Sequence, residues 1–336
     1  MSSSTSGSEV RRGLAALACF FVALGVLDRG LSWTMLALES RYYSGGNQFE
    51  RQLAGYLSGR NFDTLVLGTS RTSEGIIPLL LEAEGRPRIS SVFKEAYQGK
   101  GPRYQLEFYR LFRKYAGRPR LLVYGVDYFL YSIQSDRRWM SRFSSAESWK
   151  PPAPRRAPLL LLQRKHQHDV FFNDLIDDIN DRAGRKVAPA TDTFEQSRRY
   201  LGVPADRSRL VIEKPLSYKR SRMPRPPGPE GAAFERLLAE TGADGVPVVL
   251  VSLPDYVGTY RTNVELATFH EHLRELSRRY PHVTVLIYND PRRFDLDDPS
   301  LFIDGGWGRT NSHLSTAGAA ELSRMLARDL ARLPAR

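Results

Sequence analysis

Four short apolar runs punctuate the chain, at 63–67 (DTLVL), 120–124 (RLLVY), 247–253 (PVVLVSL) and 283–288 (VTVLIY). None alternates apolar with polar positions, so each reads as a strand buried on both faces. A weaker run at 89–93 reads as a further short strand. The stretches between them carry apolar residues at spacings of three and four, the signature of helices with one buried stripe. Tyr104, Phe108, Leu111, Phe112 and Tyr115 mark one over 103–115, and Phe234, Leu237 and Leu238 mark another over 232–240. Leu266, Phe269, Leu273, Leu276 and Tyr280 mark a third over 264–280. Leu322, Met325, Leu326, Leu330 and Leu333 mark a fourth after Gly318. Strands alternating with helices predict an α/β domain with a mainly parallel sheet covered on both sides, a three-layer α/β/α arrangement.

The middle of the chain departs from this rhythm. Residues 150–158 and 218–231 are basic and proline-rich, hence extended or irregular. Between them, 159–183 has helical spacing, with Phe171 or Phe172, Leu175, Ile176 and Ile179 on one face. We read about 130–232 as an insertion over the sheet of a single domain covering 39–336.

The N-terminus has a different pattern. Residues 1–10 are serine-rich, Arg11 and Arg12 follow, and 13–27 run without a charge. Asp28 and Arg29 interrupt the run, which resumes over 31–38. The uninterrupted part is short of the ~20 residues a span needs, but 13–38 is long enough. Positive charge ahead of the run predicts a cytoplasmic tail over 1–12, an uncleaved single-pass inner-membrane anchor over 13–38, and a body in the periplasm or otherwise outside the cytoplasm. No A-x-A site follows the run as a cleaved signal would require.

Composition narrows the remaining classes. The 336 residues are 41% hydrophobic and 26% charged, as in a folded globular chain. One cysteine, Cys19, excludes a disulfide scaffold, a zinc finger and an iron–sulfur protein. The formal charge of +12 (49 basic against 37 acidic residues) permits nucleic acid, anionic membrane or anionic polymer as a neighbour and selects none of them. No Walker or Rossmann glycine pattern is present, so no nucleotide cofactor is expected. His166 and His168 face apart on a helix, and His270-Glu271-His272 lacks the HExxH spacing, so no metal is expected either.

Candidate chemistry lies where strands end, because ligands of open α/β sheets bind beyond the carboxyl ends of the strands. Gly68-Thr69-Ser70-Arg71 follows the first strand, and Ser70 there is a candidate nucleophile whose turn offers backbone N–H groups to an oxyanion. His313, in NSHLSTAG just before the last helix, is a candidate base. Tyr97-Gln98-Gly99-Lys100-Gly101 lets backbone amides approach a ligand through its glycines. Gly125-Val126-Asp127-Tyr128 brings Asp127 to the end of the RLLVY strand. Each segment alone also fits a plain turn or helix cap.

Taken together, these segments resemble the SGNH (GDSL-like) hydrolase superfamily over roughly 60–130 and 245–335. The resemblance implies Ser70 as nucleophile, Gly99 or Gly101 as the glycine donor to the oxyanion, and His313 as base, with HLSTAG similar to the family's late histidine block. The closest likeness is to the anchored bacterial proteins of cell-surface polymer acylation, carried by the GTS turn and LLVYGVDYF. That likeness implies acyl transfer to a polysaccharide acceptor beside a membrane-bound O-acyltransferase, without nucleic acid as partner and without cofactor. Two positions depart from the family pattern. Thr310 stands three before His313 where an aspartate is usual, which makes Asp304, in the LFID context, the expected third member. Asp127 stands where hydrolases use asparagine, which implies that it and Arg71 bind substrate. Three functions stay open on the sequence: an acyltransferase, an esterase or deacetylase of the same chemistry, and a non-catalytic membrane-tethered scaffold.

Overall fold

The computed structural model describes residues 7–42, 48–97, 100–128, 140, 143, parts of 169–183, 191–199, 228–263, 265–303 and 313–334. The chain divides into two compact units, one of 1–51 with 140–187 and one of 52–139 with 188–336. Most of the expected insertion at 130–232, and the sites at Gly99, Asp304 and Thr310, lie outside the described residues.

The larger unit is built on five parallel strands: β1 (Thr64–Gly68), β2 (Val92–Ala96), β3 (Leu121–Val126), β4 (Val248–Ser252) and β5 (Val283–Ile287). Their order is β2-β1-β3-β4-β5, with Leu65 opposite Leu122 and Leu122 opposite Val248. The connections carry helices. α2 (Gln48–Leu57) precedes β1, α3 (Ser70–Gly75) and α4 (Pro78–Glu84) follow it, α5 (Pro102–Ala116) follows β2, and α6 (Thr191–Arg199) and α7 (Pro229–Ala243) lie between β3 and β4. α8 (Val257–Thr262) and α9 (Leu266–Arg279) precede β5, and the chain closes with β6 (Phe302–Ile303), β7 (His313–Leu314) and α10 (Thr316–Arg332).

Alternate strand residues pack with different helices, as the period-two geometry of a strand demands. Val66, Val123, Val249 and Val251 share one cluster with Leu81 of α4 and Leu322, Leu326 and Leu330 of α10. Their neighbours go elsewhere: Phe93 stacks on Phe108 of α5, and Tyr124 meets Phe234 of α7 edge-on. The strands predicted from apolar runs fall within a residue or two of their places, with one exception. The second strand runs over Val92–Ala96, not 89–93. Its charged half was hard to see as strand because Lys94 and Glu95 are buried. Lys94 Nζ donates to the carbonyls of Ser73 (2.7 Å) and Ile76 (3.0 Å) at the end of α3, and Glu95 accepts from Tyr104 Oη at 2.7 Å and pairs with Lys100.

Two glycines set how closely α3 approaches the sheet. Thr72 is fully buried, and a Cβ on Gly68 or on Gly125 would collide with its side chain. The start of α3 therefore rests directly on the backbones of β1 and β3, which places Ser70 at their carboxyl ends.

In the smaller unit, α1 (Gly7–Tyr42) contains one stretch, Arg11–Glu39, long and apolar enough to cross a membrane. Phe171 is buried against Met35, Leu36, Tyr42 and Leu175.

A methyl group at residue 125 tests the close approach. Gly125→Ala should cost about 1–3 kcal/mol through overpacking, read as a lower urea midpoint. The Gly125→Ala/Thr72→Ala double variant should lose markedly less than the sum of the two single changes.

Candidate functional site

The sheet changes direction between β1 and β3, since the chain winds from β1 to β2 on one side and through β3, β4 and β5 on the other. Such a switch point opens a crevice at the carboxyl ends of the strands. Ser70 stands there as the first residue of α3, after Thr69 in extended conformation. His313 reaches the same place from the far end of the chain. Its strand, β7, pairs antiparallel with β6 so that His313 lies opposite Ile303. The following Ser315 caps α10 by accepting from the Gly318 amide (3.2 Å) and donates its hydroxyl to the carbonyl of Ser300 (2.7 Å). Gly318 faces the Leu301 carbonyl too closely for any side chain. The HLSTAG segment thus has a local structural reason for its serine and its glycine.

Ser70 Oγ and His313 Nε2 are 3.1 Å apart across 243 positions of sequence. Burial first, and the nearby charge of Arg71 second, lower the imidazole pKa to about 4. At neutral pH the ring is uncharged and can accept the Ser70 proton. Its other nitrogen, Nδ1, is buried with no hydrogen-bond partner among the described residues. A buried N–H or lone pair left in that state costs about 1–3 kcal/mol, so this atom asks for an acceptor.

Glu74 was not foreseen from the sequence. It lies four residues after Ser70 on α3, hence on the same helix face, with its carboxylate 3.8 Å from His313 Nε2. Burial raises its pKa to about 7, opposed by the charge of Lys94. Lys94 is lowered to about 7, by its own burial first, with Glu74 opposing. The available signal was the i, i+4 spacing to Ser70.

Arg71 and Asp127, expected beside the substrate, point into the protein instead. Arg71 is 3% exposed and Asp127 1%. One guanidinium nitrogen, Nη1, lies 2.6 Å from Asp127 Oδ1. The other, Nη2, lies 2.9 Å from Asp255 Oδ1 and donates to the carbonyls of Leu253 (3.2 Å) and Pro254 (2.6 Å). Thr69 Oγ1 donates to the second oxygen of Asp127 at 2.8 Å. Asn289 then clasps Asp255, donating to Oδ2 at 2.7 Å and accepting from its amide at 3.0 Å. Burial raises the Asp255 pKa and Asp127 adds to the rise, while Arg71 opposes both. A single motif, GVDY, could show that a carboxylate follows β3. It could not show that an arginine one residue from Ser70 would neutralise it.

On the β2 side, Gly101 is buried at the start of α5. Gln105, fully buried, donates to the carbonyls of Gly68 (2.7 Å) and Lys100 (3.3 Å), tying the glycine segment to the end of β1. Gly99, Asp304 and Thr310 lie outside the described residues. Among the described residues no group of three His, Cys, Asp or Glu side chains could hold a metal ion. His270, weighed as a metal ligand and set aside, is hydrogen-bonded to the buried Ser252 at 3.1 Å.

No known protein-family model matches the chain, and comparison with curated proteins finds no significant relative. The site's chemistry therefore stands on its geometry.

Two measurements probe that geometry. Arg71→Met leaves Asp127 and Asp255 buried without their counter-charge, and should cost about 3–5 kcal/mol in chemical denaturation. Part of that loss should return on acidification. A buried carboxyl whose folded pKa is raised favours the native state below its unfolded pKa and loses that contribution as pH rises through the folded value. The second measurement is the pH dependence of Ser70 phosphonylation. The rate should fall as His313 protonates near pH 4 and rise through about pH 7 as Glu74 ionises and comes to favour the imidazolium. Glu74→Gln should remove the step near 7 and leave the one near 4.

Proposed function

We propose that this chain is a membrane-anchored serine acyltransferase, SGNH-like in architecture, that transfers an acyl group (acetyl, by the resemblance) to a hydroxyl of an extracytoplasmic polysaccharide. The observation that carries the reading is the 3.1 Å approach of Ser70 Oγ to an uncharged, desolvated His313 Nε2 at the switch point of the sheet. The division of alternate strand residues between α4 and α10 on one hand and α5 and α7 on the other supports the three-layer arrangement. Arg11 and Arg12 ahead of the apolar helix support a cytoplasmic N-terminus and a periplasmic body.

The chemistry follows from the dyad. Ser70 Oγ attacks the acyl carbonyl and its proton passes to His313 Nε2. The resulting imidazolium returns that proton to the leaving group, and the acyl group stays on Ser70. A sugar hydroxyl then gives its proton to His313 and attacks the acyl-serine, and the imidazolium reprotonates Ser70. Backbone amides at the start of α3, with Gly101 or Gly99 from the next segment, are the donors for the tetrahedral oxyanion. The acyl donor arrives through a membrane-bound O-acyltransferase in this reading. Water in place of the sugar gives an esterase, so the acceptor distinguishes the two.

Asp304 is the proposed partner of the orphaned Nδ1. Ile303 is paired opposite His313, and the next Cα of the chain is only ~3.8 Å further on. A carboxylate there holds the ring in its tautomer and stabilises the imidazolium.

Labelling by a serine-reactive fluorophosphonate tests the proposal. Wild type should label and Ser70→Ala should not. His313→Ala should label slowly. Asp304→Asn should lose up to ~10⁴ in turnover, the scale seen when a triad loses its carboxylate, while Thr310→Ala should lose little. Equal labelling of wild type and Ser70→Ala would sink the enzymatic reading and leave a scaffold.

A further inference from the structure

Along α1, Asp28, Ser32 and Glu39 are buried, at 4%, 2% and 0% exposure, while Leu27, Leu31, Trp33 and Leu38 are about half exposed. That is the reverse of a helix in water and the arrangement of one in lipid, where polar side chains face protein.

The helical residues between 169 and 180 continue this surface. Phe171 packs on Met35, Leu36 and Tyr42 of α1 and against Leu175 one turn on, and it meets the Tyr42 ring edge-on at 5.4 Å. Phe172, Ile176 and Ile179, at 49%, 53% and 57%, are exposed. At about 100° per residue, Phe171 and Leu175 lie within ~40° of each other, and Ile179, Phe172 and Ile176 extend the same apolar arc by a further ~100°. Asp169, Asn173 and Asn180, all at least partly exposed, follow next around the helix. The apolar arc spans about 140°, of which only the first ~40° holds the covered residues, and its exposed remainder ends at a polar edge. A helix of that profile lies in a membrane interface.

The position along α1 agrees. Arg11–Glu39 spans 29 residues, about 43 Å of helix against ~30 Å of hydrocarbon. With Arg11 and Arg12 at one surface, the hydrocarbon ends near residue 32, where Trp33 stands as an interfacial aromatic. Met35 and Leu36 then lie ~4–6 Å past the hydrocarbon edge, within the opposite interface, with Tyr42 further out, and these are the α1 residues on which Phe171 rests.

We propose that the helical segment at 169–180 lies in the bilayer interface of the leaflet where α1 emerges, with Phe172, Ile176 and Ile179 in lipid. The inference rests on α1 spanning the membrane and not on the acyl chemistry. It makes the chain a protein with two lipid contacts, a span and a surface helix, the second made by the helical residues described between 169 and 180.

The single cysteine makes the test direct. In a Cys19→Ser background, a nitroxide is placed in turn by Phe172→Cys, Ile176→Cys, Ile179→Cys and Asn173→Cys in the full chain, reconstituted in phosphatidylcholine/phosphatidylglycerol vesicles. Each variant is required to keep the wild-type urea midpoint, which shows that the label has not unfolded the body. Collision with oxygen should exceed collision with a water-soluble nickel chelate at 172, 176 and 179, and the preference should reverse at 173. The same label on native Cys19 reports the span. Oxygen preference at Cys19 with nickel preference at 176 would overturn the interfacial helix alone, as would shielding of 172, 176 and 179 from both reagents, the mark of a protein partner. Nickel preference at Cys19 would overturn the span and this proposal with it.

Discussion

One buried guanidinium ties together the carboxyl ends of the sheet. Arg71 leaves the end of β1, meets Asp127 at the end of β3, and meets Asp255 and two carbonyls at the end of β4. Asn289, just past β5, extends the network to a fourth strand through Asp255. Parallel strands end in loops that no ladder bonds hold, so a crevice at this edge needs its walls fastened by side chains. A buried charge set of this kind is held by the mutual pairing of its members, and removing one leaves others uncompensated. Its adjacency to Ser70 is covalent: Thr69 and Arg71 are both held, one through Asp127 and the other through both acids, so the residue between them has little freedom of backbone.

The same arrangement sets the chemistry next to it. Burial, and after it Arg71's charge, keep His313 neutral, which suits proton acceptance and disfavours the imidazolium that must form. A serine–histidine pair in such a place needs a negative group to stabilise that cation. Glu74 stands 3.8 Å from Nε2 with its pKa raised by burial to about 7, while Nδ1 has no hydrogen-bond partner among the described residues. The geometry therefore asks for a carboxylate on the Nδ1 side, and the β6–β7 pairing sets Ile303 opposite His313.

The smaller unit distributes its burial differently. On α1, Asp28, Ser32 and Glu39 are covered while Leu27, Leu31, Trp33 and Leu38 are about half exposed, a pattern coherent for a helix of span length in a bilayer and costly for one in water.

Much of this was legible in the residues alone. Runs such as LLVY and VVLV have no polar alternation, which only a strand covered on both faces tolerates, so the parallel sheet followed from pattern. A charge-free stretch behind two arginines was likewise enough to mark the span-length helix. Ser70 and His313 were legible as element-end residues, because short polar turns after strands and before helices are local features. What local pattern could not carry was pairing. Lys94 and Glu95 hid the second strand, because charges inside a strand are tolerated only when carbonyls, Tyr104 and Lys100 from distant turns satisfy them. Asp127 read as a substrate ligand until an arginine from another strand end consumed its charge, and Glu74 gained meaning only when β7 brought an imidazole to it. Sequence determined the elements, since propensity and periodicity act over a few residues. Tertiary structure decided which charges meet, since Coulomb and desolvation energies depend on distances that only the completed fold sets.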